Sequence, residues 1–196
     1  SGRQLLVQRR LSNGALAVAR PYVIRGVAWS PAGIGTTGDF NDRRVAFREW
    51  YRLDIQLMRG MNANTVYVFL DFGTDQAERD HAKKILDYCY QNGIMVVMTV
   101  DEDGRDNKEN IAQVVNAFKN HPSILMWALG NEWNLLRQGR EKYYVHYDTL
   151  LQAADAIQAN AQQIKSLDAA HPVCSILGEI NLADQADALA DIVGNR

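Results

Sequence analysis

The residues best suited to chemistry follow an apolar run near the middle of the chain. Residues 124–129 carry no charge and no break, and Asn131, Glu132 and Trp133 come one glycine later. Such a run is typical of a buried parallel strand, and Pro122 stands where it can only precede that strand. A carboxylate at the end of a buried strand is costly to desolvate unless it has partners or a function. A Glu that merely caps the next helix is the alternative, but the adjacent amide and indole favour a functional site.

Other carboxylates and indoles recur at the ends of predicted strands. Carboxylates perform acid/base or nucleophilic steps at a glycosidic carbon, and a tryptophan ring can stack on the C–H face of a sugar. A ring of carboxylates with exposed indoles, and without a phosphate-binding loop, therefore indicates chemistry on a neutral polyhydroxyl ligand such as a sugar. The residues that form this predicted ring are Asp71, Asp101, Glu132 and Glu179, with Trp29 and Trp133 beside them.

A metal site is the competing chemistry, and the sequence does not favour it. No two histidines occupy one helix or strand at the spacing of metal ligands. His121 and His171 each precede a proline at a strand entrance, opposite the predicted site, and we expect both to be structural. Cys89 and Cys174 lie far apart in apolar segments, which favours buried free thiols. We expect neither a metal nor a cofactor.

Composition restricts the partners that this chain can have. The 196 residues are 47% hydrophobic and 22% charged, and the net charge is -2. A small negative net charge does not produce the positive electrostatic potential that attracts nucleic acid or an anionic membrane. No apolar run reaches the ~20 residues of a membrane span, and no signal-peptide pattern opens the sequence. Ser1-Gly2 resembles an expression remnant, so the localisation stays open.

The elements that must position these residues alternate between strand and helix. An entry hairpin is predicted over 1–22, where 5–10 and 15–19 flank the Asn13-Gly14 turn. Five strand-helix units follow over 23–196. We predict strands at 23–29, 65–71, 94–101, 123–130 and 173–179, and helices at 42–61, 75–92, 107–119, 141–169 and 182–193.

This alternation predicts an α/β fold with a parallel sheet covered by helices. The candidates are a doubly wound sheet and a (β/α)8 TIM barrel. No Gly-rich dinucleotide turn follows any predicted strand, and polar residues recur at the carboxyl ends of the strands, where a barrel places its active site. We therefore predict a TIM barrel, incomplete here because five of its eight units are counted.

The central stretch also carries a family resemblance. Residues Asn120 to Glu132, with the sequence NHPSILMWALGNE, resemble the strand-4 signature of family 2 glycoside hydrolases, the β-galactosidase and β-glucuronidase group within clan A. Weaker similarity runs through 23–28, 64–68 and 93–97, and extends to the family 72 β-glucan transferases. The resemblance spans strands 1 to 4, which is most of the chain.

This resemblance implies a role for each matching residue. Glu132 would be the general acid/base of a retaining mechanism, and Asn131 would hydrogen-bond the sugar 2-hydroxyl. The nucleophile of clan A comes from strand 7, which this chain does not contain. Glu179 is better explained as a sugar-binding or solvated carboxylate than as a stand-in nucleophile. The residues expected to line the cleft are Trp29, Asp71 and Trp133.

Two segments depart from the family pattern. Tyr67 stands where many clan A members have an Arg in strand 2, and Trp29-Ser30-Pro31 replaces a stretch of the Asn-Arg-His type. No particular sugar is therefore predicted.

The sequence thus predicts part of a retaining glycoside hydrolase that acts on β-linked sugars. A β-glucan transglycosylase is the first alternative, and a non-catalytic carbohydrate-binding or assembly protein is the second. Because five parallel strands leave two open edges, we expect self-association of this chain or a further C-terminal half-barrel. We also expect the 196 residues alone to be inactive.

Overall fold

The fold is a five-stranded parallel sheet with helices between its strands, preceded by a short hairpin. The computed structural model describes residues 4–8, 13–37, 40–68, 75–101, 108–135, 143 and 146–178. The predicted strand-5 residue Glu179 and the predicted helix 182–193 lie outside these residues, as does Asp71.

The entry hairpin is shorter than predicted. Strand β1 (Leu6–Val7) pairs antiparallel with β2 (Arg20–Pro21). Gly14 has φ of 82°, and the Asn13 side chain accepts a hydrogen bond from the Ala15 N–H, as an Asn-Gly turn favours. The predicted second strand at 15–19 is therefore displaced toward the C-terminus. Pro21 lies within the paired segment and does not end it.

Within the described residues, the main sheet contains five parallel strands in sequence order. These are β3 (Gly26–Trp29), β4 (Thr65–Val68), β5 (Met95–Asp101), β6 (Ile124–Asn131) and β7 (Val173–Ile176). Each strand pairs with the next one in the chain. A doubly wound sheet would reverse its order at a switch point, whereas this sequential order is that of a (β/α) barrel.

The crossovers are helical, and neighbouring helices contact one another in a single layer. They are α1 (Phe40–Gly60), α2 (Gln76–Gln91), α3 (Lys108–Phe118) and α4 (Leu150–Leu167). Among the helices in the described ranges, none is sufficiently long and apolar to cross a membrane.

The start of α4 corrects the predicted helix 141–169. Thr149 and Gln152 form a capping box, in which the Thr149 side chain accepts from the Gln152 N–H and the Gln152 side chain accepts from the Thr149 N–H. This pair satisfies donors at the first turn and fixes the helix start at Leu150. Before it, Tyr143 and Tyr147 form an isolated bridge.

The two faces of the sheet carry different apolar clusters. The outer face packs against the helices in one large core that includes Phe47, Val68, Trp127 and Ile164. The inner face carries a smaller cluster in which Met95, Val97, Leu125 and Ala128 are buried, and Tyr67, Met126, Cys174 and Ile176 are partly buried. Alternation of side chains along each strand produces this division.

Candidate functional site

Glu132 directly follows the carboxyl end of β6. Its φ is 53°, and its side chain is exposed. Left-handed backbone is unfavourable for a residue with a Cβ, and such strain persists only where surrounding contacts hold it. Strained residues of this kind cluster at active sites. The structure therefore places the predicted acid/base in a local geometry that is typical of a functional position.

A register shift sets the position of Asn131 on the sheet. Ala128 pairs with Cys174 and Leu129 with Ser175, but Asn131 then pairs with Ile176. Two residues of β6 thus oppose one of β7, as in a β-bulge. Because Ile176 belongs to the inner cluster, the shift brings Asn131 to the inner face, which simple alternation from Ala128 would not do.

The loop after β6 is attached to the end of β7. The Glu132 N–H donates to the Ile176 carbonyl oxygen at 2.9 Å, and the Gly178 N–H donates to the Asn134 Oδ1 at 2.7 Å. The Trp133 indole N–H donates to the Ser175 hydroxyl. Asn134, Ser175 and Gly178 were not predicted as site residues. The available signal was the position of Asn134, an amide two residues after the end of the quoted motif.

Trp29 does not lie where the sequence predicted. Its side chain is only 3% exposed, its indole N–H donates to Asp54 Oδ2 on α1 at 2.8 Å, and its ring meets Phe47 edge to face at 4.6 Å. The ring therefore packs in the core between sheet and helix. The predicted exposed face is wrong because strand alternation turns Trp29 toward α1.

Trp133 is also a core residue. It is 4% exposed and belongs to the outer cluster. Its hydrogen bond to Ser175 satisfies the indole donor inside that cluster. The predicted exposure of this ring is therefore also wrong, and a direct contact of the Trp133 indole with a sugar stays a prediction.

The remaining predicted carboxylates are only partly placed by the structure. Asp101 is the last residue of β5, and its backbone pairs with Leu129 of β6, two residues before Asn131. It therefore shares the sheet edge at which Glu132 emerges. Asp71 and Glu179, both predicted to bind substrate, lie outside the described residues.

His121 and His171 occupy the opposite edge of the sheet, at the entrances of β6 and β7. His171 Nδ1 lies 2.6 Å from Asp168 Oδ2, which also accepts from the Trp127 indole at 2.8 Å. Burial opposes ionisation of Asp168, but the hydrogen bonds from Trp127 and His171 outweigh it and lower the carboxyl pKa. These contacts join β6, β7 and the end of α4.

Burial lowers the pKa of His121, against the opposing effect of Asp87. Its Nε2 lies 3.1 Å from Asp87 Oδ1, and its Nδ1 accepts from the Ser123 N–H at 3.3 Å. A neutral imidazole with the proton on Nε2 satisfies both contacts.

A cavity of about 860 Å³ also lies at this opposite edge, between the hairpin and the strand entrances. It is lined by Leu5 and Leu16 from the hairpin and by His121 and His171 from the sheet, and it does not include Glu132. Within the described ranges, no three His, Cys, Asp or Glu side chains are grouped so that they could hold a metal ion.

Comparison with known structures identifies the architecture. GH5_18 from Streptomyces cattleya in complex with GlcNAc is similar over 78% of this chain and 44% of its own, with a TM-score of 0.60 and 14% identity. β-Glucuronidase 2 from Bacteroides uniformis is similar over 88% of this chain and 20% of its own, with a TM-score of 0.54 and 20% identity.

A β-mannanase from the blue mussel Mytilus edulis is similar over 87% of this chain and 62% of its own, with a TM-score of 0.54 and 13% identity. The chain thus spans less than two-thirds of the length of each of these three structures. At such identities the likeness concerns the fold, and it confirms the predicted incomplete TIM barrel.

The sequence itself carries the family assignment. No curated protein matches it. Residues 89–195, more than half of the chain, match the family described as Glycosyl hydrolases family 2, TIM barrel domain. This match includes β5, β6 and β7 and therefore the Asn131-Glu132 pair. The chain therefore belongs to family 2 of the glycosyl hydrolases, as part of its TIM barrel domain.

Proposed function

We propose that the intact protein is a retaining glycoside hydrolase that acts on β-linked sugars, with Glu132 as its general acid/base. The observation that carries this proposal is the exposed, positive-φ Glu132 directly after Asn131 at the carboxyl end of β6, in a family 2 barrel segment. The similar structures that are named as a β-glucuronidase and a β-mannanase support β-linked sugars as the substrate class.

In the proposed mechanism, the Glu132 carboxyl first gives its proton to the glycosidic oxygen as the bond to the anomeric carbon breaks. A second carboxylate, about 5–5.5 Å away, forms the covalent glycosyl-enzyme. Glu132 then takes a proton from the attacking water, which displaces the nucleophile and restores the starting ionisation states. We place this nucleophile outside the described residues, as the family resemblance implies.

Asn131 is proposed to hold the substrate beside Glu132. The register shift between β6 and β7 brings it to the inner face of the sheet, where a sugar would enter the barrel mouth. A hydrogen bond from its amide to the sugar 2-hydroxyl strengthens in the transition state of retaining hydrolysis. Asp71 and Glu179 remain proposed substrate contacts.

The test is Glu132→Gln in the intact protein, assayed on aryl β-glycosides with good and poor leaving groups. General acid catalysis contributes ~10²–10⁴-fold, so turnover of substrates with poor leaving groups should fall by about that factor. The glycosylation step of activated substrates should suffer less, because their leaving groups need no proton. Glu49→Gln is the matched control, since Glu49 is exposed on α1.

Analysis of the products separates the alternatives. Products longer than the substrate would show that the glycosyl group is transferred to a sugar hydroxyl. The activity of the same site would then be transglycosylation instead of hydrolysis. Wild-type rates for Glu132→Gln on both kinds of aryl glycoside would refute the acid/base assignment. Sugar binding without turnover by the intact wild-type protein would identify a non-catalytic binding protein.

A further inference from the structure

The loop that carries Glu132 is held by a set of contacts that we call the β6–β7 clamp. On the β6 side it contains Glu132, Trp133, Asn134 and Leu135, and on the β7 side Ser175, Ile176 and Gly178. Three hydrogen bonds cross it, from the Glu132 N–H to Ile176, from the Trp133 indole to Ser175, and from the Gly178 N–H to Asn134. The clamp therefore ties the residue after β6 to the end of the neighbouring strand.

Asn134 is the polar centre of this clamp. It is fully buried at 0% exposure, and its Oδ1 accepts from the Gly178 N–H at 2.7 Å. A buried amide in an apolar surrounding is costly unless it is hydrogen-bonded. Asn134 therefore gives the Gly178 N–H an acceptor inside the core, two residues after Glu132.

Gly178 fits Leu135 closely on the other side of the clamp. A Cβ at position 178 would lie 2.6 Å from both Cγ and Cδ1 of Leu135. Any larger residue would displace the Leu135 side chain from its present position. Packing of Leu135 against Gly178 therefore adds to the hydrogen bonds that hold the loop after β6 against the end of β7.

The backbone of Glu132 gives the clamp a consequence for function. A non-glycine residue at φ of 53° persists only where neighbouring contacts determine its conformation. Without the Asn134 hydrogen bond, the loop loses one of the contacts that oppose relaxation to negative φ. Such relaxation would turn the Glu132 carboxyl away from its present direction.

We propose that Asn134 is a positioning residue that acts through the β6–β7 clamp to hold the Glu132 carboxyl within reach of the glycosidic oxygen. This inference rests on the proposed acid/base role of Glu132. Proton donation requires heavy-atom separations of ~2.6–3.2 Å. A displacement of about 1 Å can cost ~10²-fold in rate. The effect should be confined to the step that needs the proton.

The first experiment compares leaving groups in the intact protein. In Asn134→Ala, kcat/KM for aryl β-glycosides with poor leaving groups should fall by ~10–100-fold, while that for strongly activated ones falls by about threefold or less. Gly178→Ala should give the same selective loss, because it moves Leu135 and leaves the Asn134 amide in place. It also provides a second test if Asn134→Ala folds poorly.

Asn160→Ala is the matched control. Asn160 is another buried amide, at 2% exposure, but it lies on α4 and contributes nothing to the clamp. Its loss should lower thermal stability and change both classes of substrate equally. If Asn134→Ala and Gly178→Ala also change both classes equally, the role of Asn134 is structural only and the proposal fails.

A second measurement does not depend on activity. Amide hydrogen exchange of the peptide that covers 130–135 should become faster in Asn134→Ala than in the wild type, because the Glu132 N–H loses its fixed acceptor geometry. Unchanged exchange there would overturn the clamp even in an active glycosidase. Faster exchange in Asn134→Ala, together with a wild-type protein that hydrolyses no glycoside, would support the clamp and refute the proposed function instead.

Discussion

At the scale of single residues, the positive φ of Glu132 links local strain to function. The left-handed conformation of this residue is unfavourable, and hydrogen bonds from the loop to Ile176 of β7 and to Gly178 after it offset the cost. The sequence showed the chemical identity of the carboxylate and its place after a buried strand. The conformation of its backbone depends on contacts with residues more than 40 positions later, which no local pattern reveals.

The direction of the two tryptophan rings could not be predicted from the sequence. Both were expected at the mouth because Trp29 ends a predicted strand and Trp133 follows one, yet both rings are buried in the outer core. The direction of a side chain at a strand end depends on alternation along a short strand and on any bulge within it. For Trp29, an aspartate on α1 completes the burial by accepting its indole N–H.

We therefore predict that Trp29→Ala destabilises the intact protein by about 3–5 kcal/mol, because removing a buried aromatic ring leaves a cavity. Urea unfolding would measure this loss, and sugar affinity of the folded fraction should not change. Tyr90→Ala is the control, since Tyr90 is 38% exposed, and it should cost much less. If Trp29→Ala weakens sugar binding without loss of stability, the ring lines the cleft and the prediction is wrong.

At the scale of elements, helix and strand identity followed from local signals. Every described crossover contains the predicted helix, and α2 lies within one residue of its predicted bounds at each end, where Asp75 caps its start and Gly93 follows its end. The start of α4 was wrong because apolar periodicity continues upstream of Thr149, whereas the capping box at Thr149 and Gln152 decides the boundary. That signal was present in the sequence and outweighs periodicity.

The entrance of β6 is joined to α2 by a contact that titrates. His121 bonds to Asp87 of α2 and to Ser123, and Lys83 also faces Asp87 at 2.8 Å. The hydrogen bond from Lys83 is the largest cause that lowers the pKa of Asp87 from its ordinary value of 3.8, so this carboxylate stays ionised above that pH. A titration of this contact between the ordinary pKa values of Asp87 and His121, 3.8 and 6.5, therefore belongs to the imidazole.

Because burial lowers the pKa of His121 from its ordinary value of 6.5, the unfolded chain binds a proton at a higher pH than the folded one. As the pH falls through 6.5, the unfolded state takes up this proton first, and the free energy of unfolding decreases until the folded pKa is reached. We predict that the melting temperature falls as the pH is lowered from about 7 through 6.5.

His121→Asn should flatten this pH dependence, because Asn offers a neutral hydrogen-bonding group at the same place. His146→Asn is the control, since His146 is exposed. A wild-type melting temperature that is constant over this range, or a slope that His121→Asn leaves intact, would contradict the assignment.

At the scale of the whole molecule, the order of the five strands was predictable and the surfaces around them were not. Among the described strands, β3 and β7 each pair on one side only. The inner cluster is also only partly covered, with Tyr67, Met126 and Ile176 at its margin. Along α1, Val45, Leu53 and Leu57 are 48%, 62% and 59% exposed. A barrel closed by further β/α units would cover such surfaces.

We predict that the 196 residues, purified alone, hydrolyse no glycosides and associate with themselves. Unpaired parallel edges template pairing with another chain, and contiguous exposed apolar surface favours association in water. Size-exclusion chromatography with light scattering should show dimers or larger species at micromolar concentration. The double variant Leu53→Glu/Leu57→Glu should reduce their size if the α1 surface takes part, whereas Leu151→Glu on α4 is the matched control, with Leu151 54% exposed.

The decisive outcome is the state of the wild-type chain. A monomer that unfolds cooperatively would mean that the inner face and both edges are tolerated in water, and the open-barrel interpretation would then be wrong. Measurable glycosidase turnover by the 196 residues would place a working nucleophile within them, and Glu179 would be the first carboxylate to substitute. Association that is unaffected by the α1 double variant would locate the contact at the sheet edges or the inner face, where Ile176→Glu would be the next variant because Ile176 belongs to the inner cluster.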